Sequence, residues 1–600
     1  MLTMTLLLRR LFPALLLFPL AAQGTIVTTT TDEDDGSLGG GTGVSLREAV
    51  NYSPPGDTIT FAPALSGGII RCTLGRIIIV NSINIDGSSL PSHITISGDK
   101  TGNGKTADDT YVLQIETGTT VALDSLTISG GAGTDGGGIR ISGVSVIQNT
   151  ANVSITRCLI TGNSASNNGG GGIYCKGNLT VQSSTFAGNS GRAGGGVLVQ
   201  FGYCTFEDSV FTANSATQQG GGGLCSRSGV VTLVNSTVSG NSAAEGGGID
   251  TATSLNLQTS SVVGNSATAG GGIFVRNGTM DSTGSDISAN TASANGGGIY
   301  NSSGQVEMVT SALFGNYAGN LGGGIFQLLG PMILKNTTLS RNLAKASGGG
   351  VYINFDSFDL QNSTISGNTA NTSGGGGITK NNGALMLQNT VVAGNYAPNL
   401  PSAPNISGTF TGTNNLTSGT PLLAPLGDYG GPTQTMPPLP GSPAIDTGGT
   451  SSLTTDQRGF PRVGIPDIGA VEYQGNSDLS RFWALDFDGD ASPYGTEQAL
   501  GTDPSASDPA SLRNLTAPVL NASGHPVLSF GIGTAVAGTR WILRRTTDLL
   551  TFTEIYRYSG STDTAAPGVT FLRTATSVTV TDTNPPPGGG FYRFEAALEP

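Results

Sequence analysis

Ten asparagines recur through the middle of this 600-residue chain, at Asn163, Asn189, Asn214, Asn241, Asn265, Asn290, Asn316, Asn342, Asn368 and Asn395. Successive steps are 26, 25, 27, 24, 25, 26, 26, 26 and 27 residues. Approximately the same pattern surrounds each one: apolar-x-apolar-x-x-small-x-apolar-x-x-Asn, then Gly-Gly-Gly-apolar-aromatic. A drift of one or two residues per copy is too small for separate domains and too regular for a linker. Each copy therefore reads as one coil of a solenoid.

The coil is β rather than helical. Before Asn241, Val231 and Leu233 alternate with polar residues at the strand period of two, and Val238 follows at the next apolar position. The same offsets return as Leu179, Val181 and Phe186 before Asn189, and as Leu255, Leu257 and Val262 before Asn265. The Leu spacing and helical stretch of a leucine-rich repeat are absent. Two or three short strands joined by sharp corners fill such a period, giving a parallel β-helix that rises about 4.8 Å per coil, or roughly 48 Å over ten coils.

The repeated residues have mechanical roles. Glycine adopts positive φ and permits close backbone approach, which suits Gly136 to Gly138, Gly246 to Gly248 and Gly348 to Gly350 to tight corners stacked on themselves. Asparagine tolerates the left-handed region and carries both donors and acceptors. A column of asparagines can bond coil to coil and satisfy turn backbone that burial would otherwise leave unpaired. Flexible linker is the other reading of glycine-rich sequence. It fails here because every glycine run keeps phase with the apolar residues.

The GGGI of Gly246 to Ile249 and the GNSA of Gly240 to Ala243 resemble the GGAI and FxxN repeats of chlamydial polymorphic outer-membrane proteins and related bacterial β-helix proteins. That resemblance implies a right-handed parallel β-helix exposed outside the cell. It is specific for fold and silent about activity. The expected architecture is all-β: a right-handed parallel β-helix solenoid with capping segments and a small C-terminal β-sandwich-like domain.

Glycine, 94 of 600 residues, is about 16% of the chain against roughly 7% in average proteins. Charged residues are only 11% and the net charge is -13, which argues against nucleic acid or anionic membrane as a partner. From Gly130 to Gly412 ten Lys or Arg balance ten Asp or Glu, so the acidity belongs to the ends. Residues 1–24 carry Arg9 and Arg10, an apolar run from Leu11 to Leu20 and then Ala21, Ala22, Gln23 and Gly24. These are the three regions of a secretory signal peptide, and the apolar run is too short for a transmembrane anchor. After its removal no stretch is long and apolar enough to span a bilayer. The five cysteines are Cys72, Cys158, Cys175, Cys204 and Cys225. Cys204 takes the first apolar position of its coil and Cys158 the small inward one, so both read as buried core thiols. Export also admits one disulfide within the Cys158 to Cys225 group, and spacing leaves its pairing open.

Residues 25–129 form the expected N-terminal cap and first coils. Ser45 with Glu48 three residues on is a capping box, starting a short helix whose Leu46, Ala49 and Val50 can cover the open end of the coil. Strand-like runs follow at Thr58 to Phe61, Ile77 to Val80, Ile83 to Ile85, Ile94 to Ile96 and Val121 to Leu126, and Gly98 to Thr110 reads as a loop. The stretch resembles the SLREA-type segment that precedes many bacterial β-helices. Residues 130–412 are the repeated coils. Residues 413–475 break the repeat, and the motifs Pro440 to Asp446, Asp456 to Gly459 and Asp467 to Tyr473 resemble the choice-of-anchor Q segment found where bacterial β-helices end. This implies a C-terminal cap, with Arg458 paired to Asp446 or Asp467.

In residues 476–600, Asp486, Asp488, Asp490, Ser492 and Glu497 stand at loop positions one, three, five, seven and twelve, a spacing of oxygen ligands that suits Ca²⁺. Ala491 replaces the usual glycine of that turn. The segment resembles the DxDGD calcium loops of dockerin-like and thrombospondin type 3-like repeats. Strand-like runs at Val527 to Phe530, Trp541 to Arg544, Val578 to Thr581 and Phe591 to Phe594 then suggest a small sandwich.

Polysaccharide lyases and glycoside hydrolases of the pectate-lyase-like superfamily use this fold, and their chemistry needs clustered carboxylates or a carboxylate beside a Lys or Arg base. The repeats show no adjacent Asp pair and no His, and Asp250, Asp281 and Asp286 read as isolated and solvated. Aromatic residues follow the glycine corner at Tyr174, Phe274, Tyr300, Phe326 and Tyr352. Since the apolar residue before each points inward, these rings point outward, either as a platform for sugars or as a shield over the sheet. The reading is an exported, surface-associated adhesin or carbohydrate-binding scaffold without catalysis, its partner a polysaccharide or other cell-surface ligand. A lyase or hydrolase is the alternative. Carboxylates converging with Lys or Arg in a groove would favour the enzyme, and a smooth rod carrying only aromatics would favour the adhesin.

Overall fold

The structure, a computed structural model, describes residues 24–104, 110–143, 150–167 and 169–475, together with the strands and turns between 519 and 598. The leader up to Gln23 and the proposed calcium ligands Asp486, Asp488, Asp490, Ser492 and Glu497 lie outside the described residues.

The repeat folds as a parallel β-solenoid. Three long sheets of 14, 13 and 13 strands run its length, and each strand pairs with its equivalent in the next coil. On the first face, strands such as Asn178–Gln182 and Val230–Val234 bury alternate side chains. Register stacks Leu179 on Cys204 on Val231 on Leu255 on Met280, five rungs of one apolar column. The second face, including Thr185–Ala187 and Val210–Thr212, sends one residue per coil inward. Phe186 and Phe211 stack there with ring centroids 4.7 Å apart. The third face begins after each glycine corner, as in Ile173–Cys175 and Ile249–Thr251. A single apolar cluster runs from Val27 to Val392, so the solenoid has one continuous core.

Two polar ladders hold the corners between faces. Between the first and second faces, the residue before the small position takes positive φ, as in Arg157 (50°), Asn235 (47°) and Asn362 (44°). The small residue then accepts a backbone N–H from the coil before: Ser209 Oγ from Ser184 (3.3 Å), Ser236 Oγ from Ser209 (3.1 Å) and Ser260 Oγ from Ser236 (3.1 Å). After the second face the ten repeated asparagines form an unbroken file. From Asn189 on, each Oδ1 accepts the backbone N–H of the preceding asparagine, and each Nδ2 reaches the next Oδ1 at 2.9 to 3.0 Å through Asn368 to Asn395. Asn405, which breaks the interval at only 10 residues beyond Asn395, closes the file.

At the N-terminal end, Ser45 and Glu48 form the capping box of the helix Leu46–Tyr52, and Leu46, Ala49 and Val50 join the solenoid core. Asp32 fixes the helix by accepting from Arg47 Nε at 2.8 Å. Strands over Thr58–Phe61, Ile77–Ile79, Ile83–Asp86 and Ile94–Ser97 follow. Gly98 to Gly104 carries no strand, and 105–109 lie outside the described residues.

The segment expected to cap the C-terminal end instead runs back along the flank as a strap. It meets the left-handed corner residue of five successive coils. Pro432 packs on Gly284, Thr433 Oγ1 donates to Thr310 O at 3.1 Å, and Asn336 Nδ2 donates to Thr455 O at 2.8 Å. Ser451 Oγ then donates to Asn362 Oδ1 at 2.8 Å, and Gly449 exchanges two bonds with the Asn389 amide. Its footprint is visible in the second face. Outward Thr338, Ser340, Thr364 and Ser366 are buried, whereas their equivalents Thr185, Ala187, Thr237 and Ser239 in earlier coils are half-exposed. Arg458 pairs with Asp456 at 2.9 Å, a partner the sequence reading did not name. Asp467 instead accepts backbone N–H groups from Asp446 and Tyr473.

Beyond residue 518, two four-stranded antiparallel sheets, one including Pro526–Gly531 and Ser577–Asp582, the other Thr539–Thr546 and Thr553–Ser559, share a buried cluster of Leu528, Leu543, Ile555, Tyr556 and Val578. All five cysteines are buried free thiols.

Candidate functional site

The outward column of the third face is where the sequence placed its aromatic stripe. Register puts Tyr174, Leu198, Cys225, Asp250, Phe274, Tyr300, Phe326 and Tyr352 on successive rungs. The last four rings stack on one another, with centroids 4.7, 4.8 and 5.5 Å apart. Phe274 and Phe326 are buried, and Tyr300 and Tyr352 half-buried. Ring faces that cover one another cannot also stack on a sugar, which favours the shield over the platform of the two readings. Tyr174 stands apart from the stack and packs with Ala193, Leu198 and Cys225.

The stripe is broken by one charged rung. Asp250, expected to be solvated, is buried with its side chain only 2% exposed. Its Oδ2 lies 2.6 Å from Arg276 Nη2, which also meets Glu245 at 2.5 Å. Burial pushes the Asp250 carboxyl up to about 6, against the downward pull of Arg276. Its Oδ1 is buried with no hydrogen-bond partner. Gly220 makes room for the carboxylate, since a Cβ there would fall 1.7 Å from Oδ2. Asp286 is half-buried, and burial raises its carboxyl to about 6. Only Asp281 of the three is exposed.

A second outward column runs beside the first, two residues further along each strand, and reads Arg227, Ala252, Arg276 over the rungs of Cys225, Asp250 and Phe274. Two long cations flank one methyl group, and the gap over Ala252 is a recess of about 500 Å³. Asp250, Cys225 and Ala252 floor it, Arg227 and Arg276 wall it, and Gln218, Gln219 and Glu245 form its rim. This volume lies within the range of ligand pockets, about 300–1,000 Å³. The Arg276 guanidinium lies over the Phe274 ring at 5.0 Å, so the recess opens at the foot of the aromatic stack. Arg227 faces the Cys225 thiol, whose pKa burial raises, and has no carboxylate partner among the described residues. A larger recess of about 610 Å³ near Tyr111 is lined mostly by small hydroxyl residues and glycine, with Arg76 its one charge.

The sequence missed this cluster because its members come from consecutive coils, and because the aromatic column was followed past Leu198, Cys225 and Asp250. The interruption itself was the available signal. Chemically, the group offers an acid that titrates near pH 6, a second carboxylate and two guanidiniums in one concavity. No group of three or more His, Cys, Asp or Glu that could hold a metal occurs among the described residues.

Residues 157–176 match the family profile described as the Chlamydia polymorphic membrane protein (Chlamydia_PMP) repeat. The matched stretch runs from one left-handed corner through Asn163 to the third-face strand Ile173–Cys175. No curated protein and no solved structure matches the chain.

Proposed function

We propose that this chain, whose coil carries a polymorphic-membrane-protein-type repeat, is an exported, surface-associated scaffold that binds a polysaccharide or other cell-surface ligand through the third face of its solenoid. The observation that carries this reading is the recess at Asp250, a concave polar site on the third face. Export is supported by the leader pattern of residues 1–24. No helix among the described residues is long and apolar enough to cross a membrane. Ca²⁺ held by Asp486, Asp488, Asp490, Ser492 and Glu497 is part of the same proposal, and loss of a Ca²⁺-induced rise in melting temperature in Asp488→Ala would test it.

The converging Asp250, Glu245, Arg227 and Arg276 also favour the second reading, a lyase or hydrolase acting at the recess. One experiment separates the two. Acidic and neutral polysaccharides are incubated with the full chain, scoring retention on the polymer and release of shortened products. Retention without shortening supports the scaffold. Products that vanish in Asp250→Asn establish the enzyme, and neither retention nor products on any polymer refutes both. Protease shaving of intact cells tests surface exposure independently.

A further inference from the structure

The recess has a chemical preference that its residues define. Arg276 already bonds both carboxylates, contributing Nε and Nη2 to Asp250 and Nη2 to Glu245. Arg227 makes no ion pair with a carboxylate among the described residues, and with Asp250 protonated it is the one charge in the recess that nothing balances. A planar guanidinium fits a carboxylate through two parallel hydrogen bonds, better than it fits a neutral hydroxyl. Asp250 Oδ1 is a buried polar atom left without a bond, which costs stability unless a ligand or water supplies one. Gln218 and Gln219 place side-chain amides at the rim, where they can donate to and accept from sugar hydroxyls. A cationic ligand would have to enter between two guanidiniums, which repel it.

We infer that the recess over Ala252 is a subsite for a carboxylate-bearing sugar, its carboxylate paired to Arg227 and its ring hydroxyls met by Asp250, Gln218 and Gln219. This rests on the binding reading above and names its ligand class. The groups facing Asp250 are Arg276 and Glu245 from the rungs around it, Arg227 and the Cys225 thiol. In its protonated form Asp250 donates its O–H to the ligand, and in its ionised form it repels the ligand carboxylate. Binding therefore weakens as pH rises from 5 to 7.5.

The test is calorimetric titration of the full chain with a tetramer of galacturonic acid, its fully methyl-esterified form and a neutral glucose tetramer. The acid should bind, and the ester and the neutral tetramer should bind at least about tenfold more weakly, the worth of one charge-assisted hydrogen bond. Arg227→Gln should lose about tenfold with little change in melting temperature, because that side chain has no ion pair to lose among the described residues. Lys345→Gln, exposed several coils away, should bind as the parent does. Equal affinity for acid and ester, undiminished binding by Arg227→Gln, or equal loss in Lys345→Gln overturns the inference. No binding of the acid overturns it too. If neutral glycans are retained on an array in that case, the scaffold reading stands and only the subsite falls.

Discussion

Asn265→Ala is the sharpest perturbation of the solenoid. In the parent, Oδ1 of Asn265 accepts from Asn241 N at 2.9 Å and Asn241 Nδ2 at 3.0 Å. Its Nδ2 donates to Val238 O at 2.9 Å and Asn290 Oδ1 at 3.0 Å. Alanine removes all four bonds and leaves the buried Asn241 N–H without its acceptor, while Asn241 Nδ2 keeps its bond to Phe211 O. At about 1–3 kcal/mol for each buried group left unpaired, with two to three groups affected, the cost is about 3–6 kcal/mol. A solenoid transmits stability through nearest neighbours, so the loss should centre on two coils. Denaturant unfolding gives the total, and hydrogen exchange should show the Asn241 amide losing most protection. Asn265→Asp keeps the acceptor but turns its second carboxylate oxygen toward Val238 O and Asn290 Oδ1. Its folded-state pKa is raised, so its stability falls as pH rises above the ordinary carboxylate range. A cost below about 1 kcal/mol for Asn265→Ala, or one equal to that of exposed Asn277→Ala, would refute the ladder as a source of stability.

Asp250 is raised from 3.8 to about 6 by burial, so the unfolded chain loses this proton first. Stability falls as pH climbs between those values, by roughly 3 kcal/mol. Melting curves of Asp250→Asn should lack that part of the decline, leaving what Asp286 and Asp467 contribute. Phe326→Ala removes a ring stacked on two others and should cost about 3–5 kcal/mol with no change in retention on a glycan array, an outcome a sugar platform would not give. Gln457→Ala deletes the amide that joins Thr338, Thr435, Thr433 and the Ser311 carbonyl. Limited proteolysis should then cut within 418–475 first, and an unchanged digest would show that the strap holds without it.

What the sequence disclosed was whatever recurs. The inward columns, the asparagine file and the helix under Ser45 and Glu48 each have a local pattern that physical chemistry reads in one way. The serine and threonine ladder was half legible: its small inward position showed in every coil, but its bond to the preceding coil needs the corner geometry. The strap could not be read, because Gln457, Thr433 and Ser451 find partners roughly 90 to 150 residues away and have no period. The aromatic stripe was placed on the correct strand, with platform and shield both left open. Sequence fixes that Phe274 points outward, whereas the spacing of one rung decides that its neighbour Tyr300 then covers it.

Stacked coils turn a recess into a question of one residue. Ala252 stands between Arg227 and Arg276 in its column, and its methyl group leaves open the recess that a third cation would fill. Ala252→Arg should fill the recess and supply the partner that Asp250 Oδ1 lacks. A second guanidinium beside a buried carboxyl lowers its pKa, so the decline in stability between pH 4 and pH 6 should flatten, and uronate binding should disappear while the fold persists. Both readouts come from one protein, and they move together only if the columns are in the register described. A variant that keeps the decline while losing the ligand would show that Asp250 lies elsewhere than under position 252. One that binds as before would remove the recess from consideration as a site.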